Sequence, residues 1–265
     1  MRWSPGNRST NLEDRRGFRV GPGLGIGGTA ILLILSLIFG KDFLGSAQND
    51  TQNTGTFENA EMSTTPAEER LVDFVSFVLD SAQAYWARAL SERGVQYPPA
   101  TLVLFRDAVE SACGFAQSAT GPFYCPTDQK VYVDLGFYEE LQSRFGAPGD
   151  FAQAYVLGHE IGHHVQHVLG LDRAARGRGN AASVQLELQA DCLAGVWGHE
   201  AARESILETG DVEEGLTAAS AIGDDRLQRE TSGRVSPETF THGSSAQRMA
   251  ALRRGLESGR LESCS

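Results

Sequence analysis

The chain has 265 residues, a formal net charge of −11 and 41% hydrophobic residues. The acidic balance argues against a nucleic-acid partner, and the sequence contains neither a glycine-rich phosphate loop nor an internal repeat. Its length suits one domain of about 200 residues with a terminal anchor.

Residues 1–19 hold Arg2, Arg8, Arg15, Arg16 and Arg19 against Glu13 and Asp14, and no charge occurs from Val20 to Gly40. An apolar run of about 20 residues can span a bilayer as a helix. Excess arginine before it and mostly acidic residues after it predict a cytoplasmic amino terminus. The expected order is therefore a basic cytoplasmic leader at 1–19 and a single transmembrane anchor at 20–40. A flexible linker rich in Asn, Thr, Gln, Ser and Gly follows at 41–64, and an extracytoplasmic domain occupies 65–265. A cleaved signal peptide, with Gly45-Ser46-Ala47 downstream, is the alternative; the long leader and the lack of a clean cleavage pattern favour the anchor.

The domain opens on Thr65-Pro66-Ala67-Glu68, a capping box with proline at the first helical position. Leu71, Phe74, Val75, Val78, Leu79, Tyr85, Trp86 and Leu90 follow at helical spacing, and Gly94 closes the helix. Thr101–Phe105 and Lys130–Leu135 read as strands, and Phe137 to Phe145 as a short helix. Cys113 and Cys125 lie between the two strands, around the Gly121-Pro122 turn. Four cysteines allow three pairings, and an oxidising compartment favours disulfides. Cys113 and Cys125 flank one local loop, which leaves Cys192 for Cys264 near the tail.

Pro148-Gly149-Asp150 makes a turn in which Asp150 is the expected N-cap of the next helix, with Gln153 three residues on. Phe151, Ala154, Tyr155, Leu157, Ile161, Val165, Val168 and Leu169 make that helix largely apolar, hence buried. Inside it lies His159-Glu160-Ile161-Gly162-His163. Positions i and i+4 share a helical face, so two imidazoles stand side by side, and neutral imidazole is a good zinc ligand. Glu160 is placed to act on a water at the metal without ligating it. His167 lies eight residues beyond His159, roughly 12 Å along the axis, too far for one ion to take all three; His164 points elsewhere. The third ligand must come from another element.

Glu187-Leu188-Gln189-Ala190-Asp191 opens a second helix, roughly Ser183 to Arg203, capped by Asn180 or Ser183. Glu187 and Asp191 again share a face. Two carboxylates on a buried face require positive charge nearby. Glu187 is the expected third ligand, and Asp191 the acceptor for the outer nitrogen of a ligating histidine. Asp172 to Asn180 reads as a loop, and Val212–Asp225 and Ser245–Leu256 as helices. His242, between Thr241 and Gly243, is a candidate donor to the oxyanion of a hydrolytic transition state; a merely exposed histidine fits equally well. His199 reads as a packing or capping residue, Cys192 as only a weak alternative ligand, and Tyr124 and Tyr132 as either cleft-lining or packing. Strands come first and helices dominate later, which predicts an α+β domain with a small sheet.

Several runs together carry a resemblance: Met1-Arg2-Trp3, Glu13-Asp14-Arg15-Arg16-Gly17, Gly121-Pro122-Phe123-Tyr124-Cys125-Pro126, His159 to Gln166, Glu187 to Cys192, and Phe240-Thr241-His242-Gly243. With the single apolar span, they resemble the bacterial neutral zinc metallopeptidase family, a membrane-anchored group of zincins, over almost the whole chain. The resemblance implies a zincin-like fold with one catalytic Zn²⁺ and hydrolysis of peptide or protein substrates. It does not imply which substrate is cut. The alternative is a zinc-binding envelope protein of the same fold that binds peptides without cleaving them; the intact Glu160 argues against it.

Overall fold

The computed structural model describes residues 1–6, 8–17, 64–175 and 177–265. The predicted anchor at 20–40 and, except for Thr64, the predicted linker at 41–64 lie outside them. No helix of the described residues is long and apolar enough to cross a membrane.

The strands are β1 (Leu12–Asp14), β2 (Thr101–Phe105), β3 (Ala108–Ser111), β4 (Gly114–Gln117), β5 (Phe123–Cys125) and β6 (Lys130–Asp134). The helices are α1 (Pro66–Ser91), α2 (Gly136–Ser143), α3 (Asp150–Val168), α4 (Leu171–Ala175), α5 (Asn180–Arg203), α6 (Asp211–Ala221), α7 (Asp224–Ser232) and α8 (Ser245–Ser258). A four-stranded sheet has the order β1-β2-β6-β5, with β1, β2 and β6 parallel and β5 antiparallel to β6; β3 and β4 form a separate hairpin. This is a mixed α+β fold. The continuous apolar run Leu102–Phe105 is buried throughout, as a strand covered on both faces must be. The hairpin and the three-residue strands β1 and β5 escape a periodicity reading because each is too short to show alternation.

Helix α1 begins as its sequence specifies: Thr65 Oγ1 accepts from the Glu68 N–H at 3.2 Å, and Glu68 Oε2 accepts from the Thr65 N–H at 3.1 Å. Helix α3 begins differently. Gly149, at φ 116°, holds the cap position, and Asp150 is the first helical residue. The Asp150 carboxylate instead accepts from the Met1 α-ammonium at 2.7 and 2.8 Å. Glu214 of α6 takes over the cap and accepts from the Phe151 N–H at 3.2 Å. A full positive charge competes better for a carboxylate than a peptide N–H does. Helix α5 likewise starts at Asn180, with Gly179 as its cap and no side-chain cap bond. The helix expected over 212–225 breaks at Ile222-Gly223, and α7 starts at Asp224.

Helix α3 runs through the core between α1, α5 and α6. Gly162 permits this: a Cβ there would sit 2.9 Å from the Ala190 carbonyl oxygen, so α3 and α5 touch backbone to backbone. Helix α8 crosses α5 in the same way, Gly255 facing the backbone of Cys192 and Val196. These contacts bring residues of α3, α5 and α8 to one point.

The amino-terminal segment departs from expectation. Residues 1–17 are not a leader apart from the domain: β1 extends the sheet, Met1 is buried, and the Trp3 ring packs on Phe74 at 5.2 Å. The short-range basic character of the segment conceals this, because Glu69, Asp73 and Glu208, which meet Arg2, Arg8 and Arg16, lie far along the chain.

Both disulfides form, Cys113–Cys125 and Cys192–Cys264, with sequence separations of 12 and 72. On the chain-entropy account, opening the longer loop costs about 4 kcal/mol and the shorter about 3 kcal/mol. A Cys192→Ser/Cys264→Ser variant is therefore expected to lower the unfolding midpoint more than Cys113→Ser/Cys125→Ser. Equal midpoints in denaturant titrations would refute that ordering.

Candidate metal centre

The point where α3 meets α5 is chemically distinct. His159 Nε2 lies 3.2 Å from Glu187 Oε2, and His163 Nε2 lies 3.5 Å from Glu187 Oε1. One ligand atom from each of the three residues falls within 4.8 Å of the others. Zinc bonds of about 2.0–2.1 Å in a tetrahedron place neighbouring ligand atoms about 3.3 Å apart. The measured spacings bracket that value.

The outer nitrogens decide which face of each imidazole is available. His159 Nδ1 lies 2.8 Å from Asp191 Oδ1. A carboxylate only accepts, so Nδ1–H donates and Nε2 is the nitrogen that faces Glu187. His163 Nδ1 lies 2.9 Å from Gln166 Oε1, and the Gln166 amide donates to the Leu186 carbonyl and to Gln189 Oε1 at 2.7 and 3.0 Å. That orientation makes Oε1 the acceptor, so His163 also turns Nε2 toward Glu187. Both tautomers suit metal ligation through Nε2.

Asp191 is itself over-determined. Arg248 of α8 donates from Nε to Oδ2 and from Nη2 to Oδ1, each at 2.9 Å. The Tyr155 hydroxyl donates to Oδ1 at 2.6 Å and accepts from Arg248 Nη2 at 3.2 Å. The carboxylate is completely buried. Burial pushes Asp191 upward, but Arg248 and His159 outweigh it and hold the group at about 2. Burial pulls His159 down, yet Asp191 and Glu187 raise it to about 10; His163 is likewise raised, by Glu187. Glu187 is held well below the carboxylate range because the two histidines outweigh its desolvation. The pocket is thus built to contain positive charge, which either protons or a cation can supply. Two imidazole nitrogens and one carboxylate, spaced and oriented in this way, fit Zn²⁺.

Glu160 is buried on α3 beside His159. Among the described residues, no side chain donates a hydrogen bond to its carboxylate, so the group is uncommitted. His242 stands on the loop that Asp224 gathers: one Asp224 oxygen accepts from the Thr241, His242 and Gly243 N–H groups at 2.7, 2.7 and 3.0 Å. The other lies 3.3 Å from His242 Nδ1. The His242 side chain is 52% exposed. Asp224 raises its pKa against the opposing effect of burial, with a smaller contribution from Glu187. No pattern in the sequence singles out Asp224, Tyr155 or Arg248.

Other candidates are structural. His164 bridges the Pro98 carbonyl and the Tyr124 hydroxyl at 2.7 and 2.9 Å, which accounts for Tyr124 as well. His167 pairs with Asp172, His199 binds the Leu256 carbonyl, and the Tyr132 hydroxyl donates to Asp128. Cys192 is consumed by its disulfide. Among the described residues a second acidic group, Asp150, Asp211 and Glu214, also has metal-like spacing, but the Met1 α-ammonium lies against Asp150 and Asp211.

Comparison with known proteins shows the family of the chain. A protein of Escherichia coli K12 named "Uncharacterized protein YpfJ" is 42% identical over 285 residues, covering 100% of this chain and 98% of the relative. The Mycobacterium tuberculosis H37Rv protein named "Uncharacterized protein Rv2575" is 46% identical over 175 residues, 61% of this chain and 60% of its own. No solved structure matches. The family profile described as "Putative neutral zinc metallopeptidase" matches residues 1–265, and the chain belongs to that family.

Proposed function

We propose that this chain is a zinc-dependent peptidase in which His159, His163 and Glu187 hold the metal and Glu160 is the general base. The observation that carries the reading is the pair of Nε2 atoms aimed at Glu187 from histidines whose outer nitrogens are fixed. A zinc ion bound there supplies a Lewis acid that polarises a peptide carbonyl and acidifies water. Glu160 takes the proton of the attacking water and returns it to the departing amine. Asp191 keeps His159 in its ligating tautomer and orientation, and Arg248 and Tyr155 keep Asp191 ionised and fixed. His242 is the candidate donor to the oxyanion, its loop held by Asp224. Two disulfides favour an oxidising compartment, so the domain is assigned to the outside of the cytoplasm, held at a membrane by the apolar run 20–40.

The test is hydrolysis of an unstructured protein by the full chain. Activity is expected to vanish with a chelator, return with Zn²⁺, and not return in Glu187→Ala. Activity that survives complete removal of metal would overturn the proposal. Binding of the substrate without cleavage, in metal-loaded protein, would favour the non-catalytic alternative.

A further inference from the structure

We infer that residues 1–17 lie in the same compartment as the metallopeptidase domain, so that both ends of segment 18–63 meet one face of any membrane the chain contacts. The inference stands on the packing of the amino-terminal segment and does not depend on zinc or on catalysis.

The pairing is extensive. Leu12, Glu13 and Asp14 register with Leu102, Val103 and Leu104 as a parallel ladder. The Leu102 N–H donates to the Asn11 carbonyl at 2.8 Å, and the Arg15 N–H to the Leu104 carbonyl at 2.7 Å. Without β1, strand β2, apolar and buried from Leu102 to Phe105, would become a bare sheet edge. Further back, the Arg2 N–H donates to the Ile206 carbonyl at 2.6 Å, and the Ser9 hydroxyl to Asp80 at 2.6 Å. Met1 and Trp3 complete the apolar layer over Phe74.

Four of the five arginines that suggest a cytoplasmic leader are already matched; Arg19 lies outside the described residues. Arg2 pairs with Glu208, Arg8 with Glu69 and Asp73, Arg15 with Glu13, and Arg16 with Asp14 and Glu69. The Arg16 side chain is fully buried. The positive-inside rule concerns basic residues that remain on the cytoplasmic side of the membrane. Here most of the partners belong to the domain. A hydrocarbon core about 30 Å thick separates the two faces of a bilayer, and neither a backbone ladder nor a buried ion pair reaches across it.

The exit and return points also coincide. Arg16, the penultimate residue before segment 18–63, lies 3.0 Å from Glu69, in the first turn of α1 directly after the segment ends. One crossing by 20–40 would part these two points. The single-pass arrangement with a cytoplasmic amino terminus is thereby replaced by one in which both flanks of the apolar run face the same side.

Labelling of thiols in intact cells separates the two arrangements. The four native cysteines are paired, so Ser4→Cys, Thr10→Cys and Glu257→Cys, all at exposed positions, each introduce a single free thiol into the full chain. A membrane-impermeant maleimide is expected to treat all three alike, either labelling them all before lysis or labelling them all only after it. Labelling of Glu257→Cys from outside, with Ser4→Cys and Thr10→Cys protected until the membrane is opened, would overturn the inference.

Discussion

Glu160→Gln is expected to keep the metal and lose at least about 10²-fold in turnover, the lower end for removal of a general acid–base group. The amide has nearly the same shape as the carboxylate, so the packing of α3 around it should persist. What disappears is the ability to accept a proton from water and return it to an amine. Glu160 makes no hydrogen bond to another side chain among the described residues, so no structural network is broken by the change. His159, His163 and Glu187 are untouched, and zinc content should stay at about one ion per chain. The check is metal analysis beside steady-state kinetics on the same preparation. Full activity in Glu160→Gln would defeat the assigned mechanism. Joint loss of metal and activity would instead show that Glu160 helps to hold the site together.

How far the sequence discloses such a site depends on which interactions are local. The i, i+4 spacing of His159 and His163, and of Glu187 and Asp191, is a property of a single helix and can be read directly. That the two helices touch is less visible, yet Gly162 encodes it, because only a residue without a Cβ lets the Ala190 backbone approach so closely. Arg248 could not be read at all. It looks like any charged residue on α8, and only the close crossing at Gly255 carries α8 to where Arg248 reaches Asp191. The cap of α3 fails for a similar reason: Asp150 has the right residue type, but Met1 claims its carboxylate from the other end of the chain. Strand β1 is the largest surprise. Three residues within an arginine-rich stretch give no alternation to detect, and their partner strand lies about 90 positions later, beyond any local pattern.

Arg248 yields the second large effect. Its guanidinium is buried and clamps both oxygens of a fully buried carboxylate. Arg248→Met removes that charge but leaves Asp191 inside the core, with His159 and Tyr155 as its remaining partners. Removing one member of a buried ion pair typically costs about 3–5 kcal/mol, because the other charge is left uncompensated. Zinc affinity should fall as well, by about 10–100-fold, since Asp191 sets the tautomer and orientation of His159. Arg248→Lys should recover only part of either loss: a point charge cannot make the two-pronged contact. The decisive comparison is Arg248→Met/Asp191→Asn. If the damage comes from an unpaired carboxylate, neutralising Asp191 as well should make the double variant more stable than Arg248→Met alone, while zinc affinity stays low because His159 then loses its anionic partner. Denaturant unfolding of the metal-free protein measures the first quantity, and chelator competition the second. A double variant whose losses equal the sum of the single ones would show that Arg248 and Asp191 act independently and that the network behind His159 is not a functional unit.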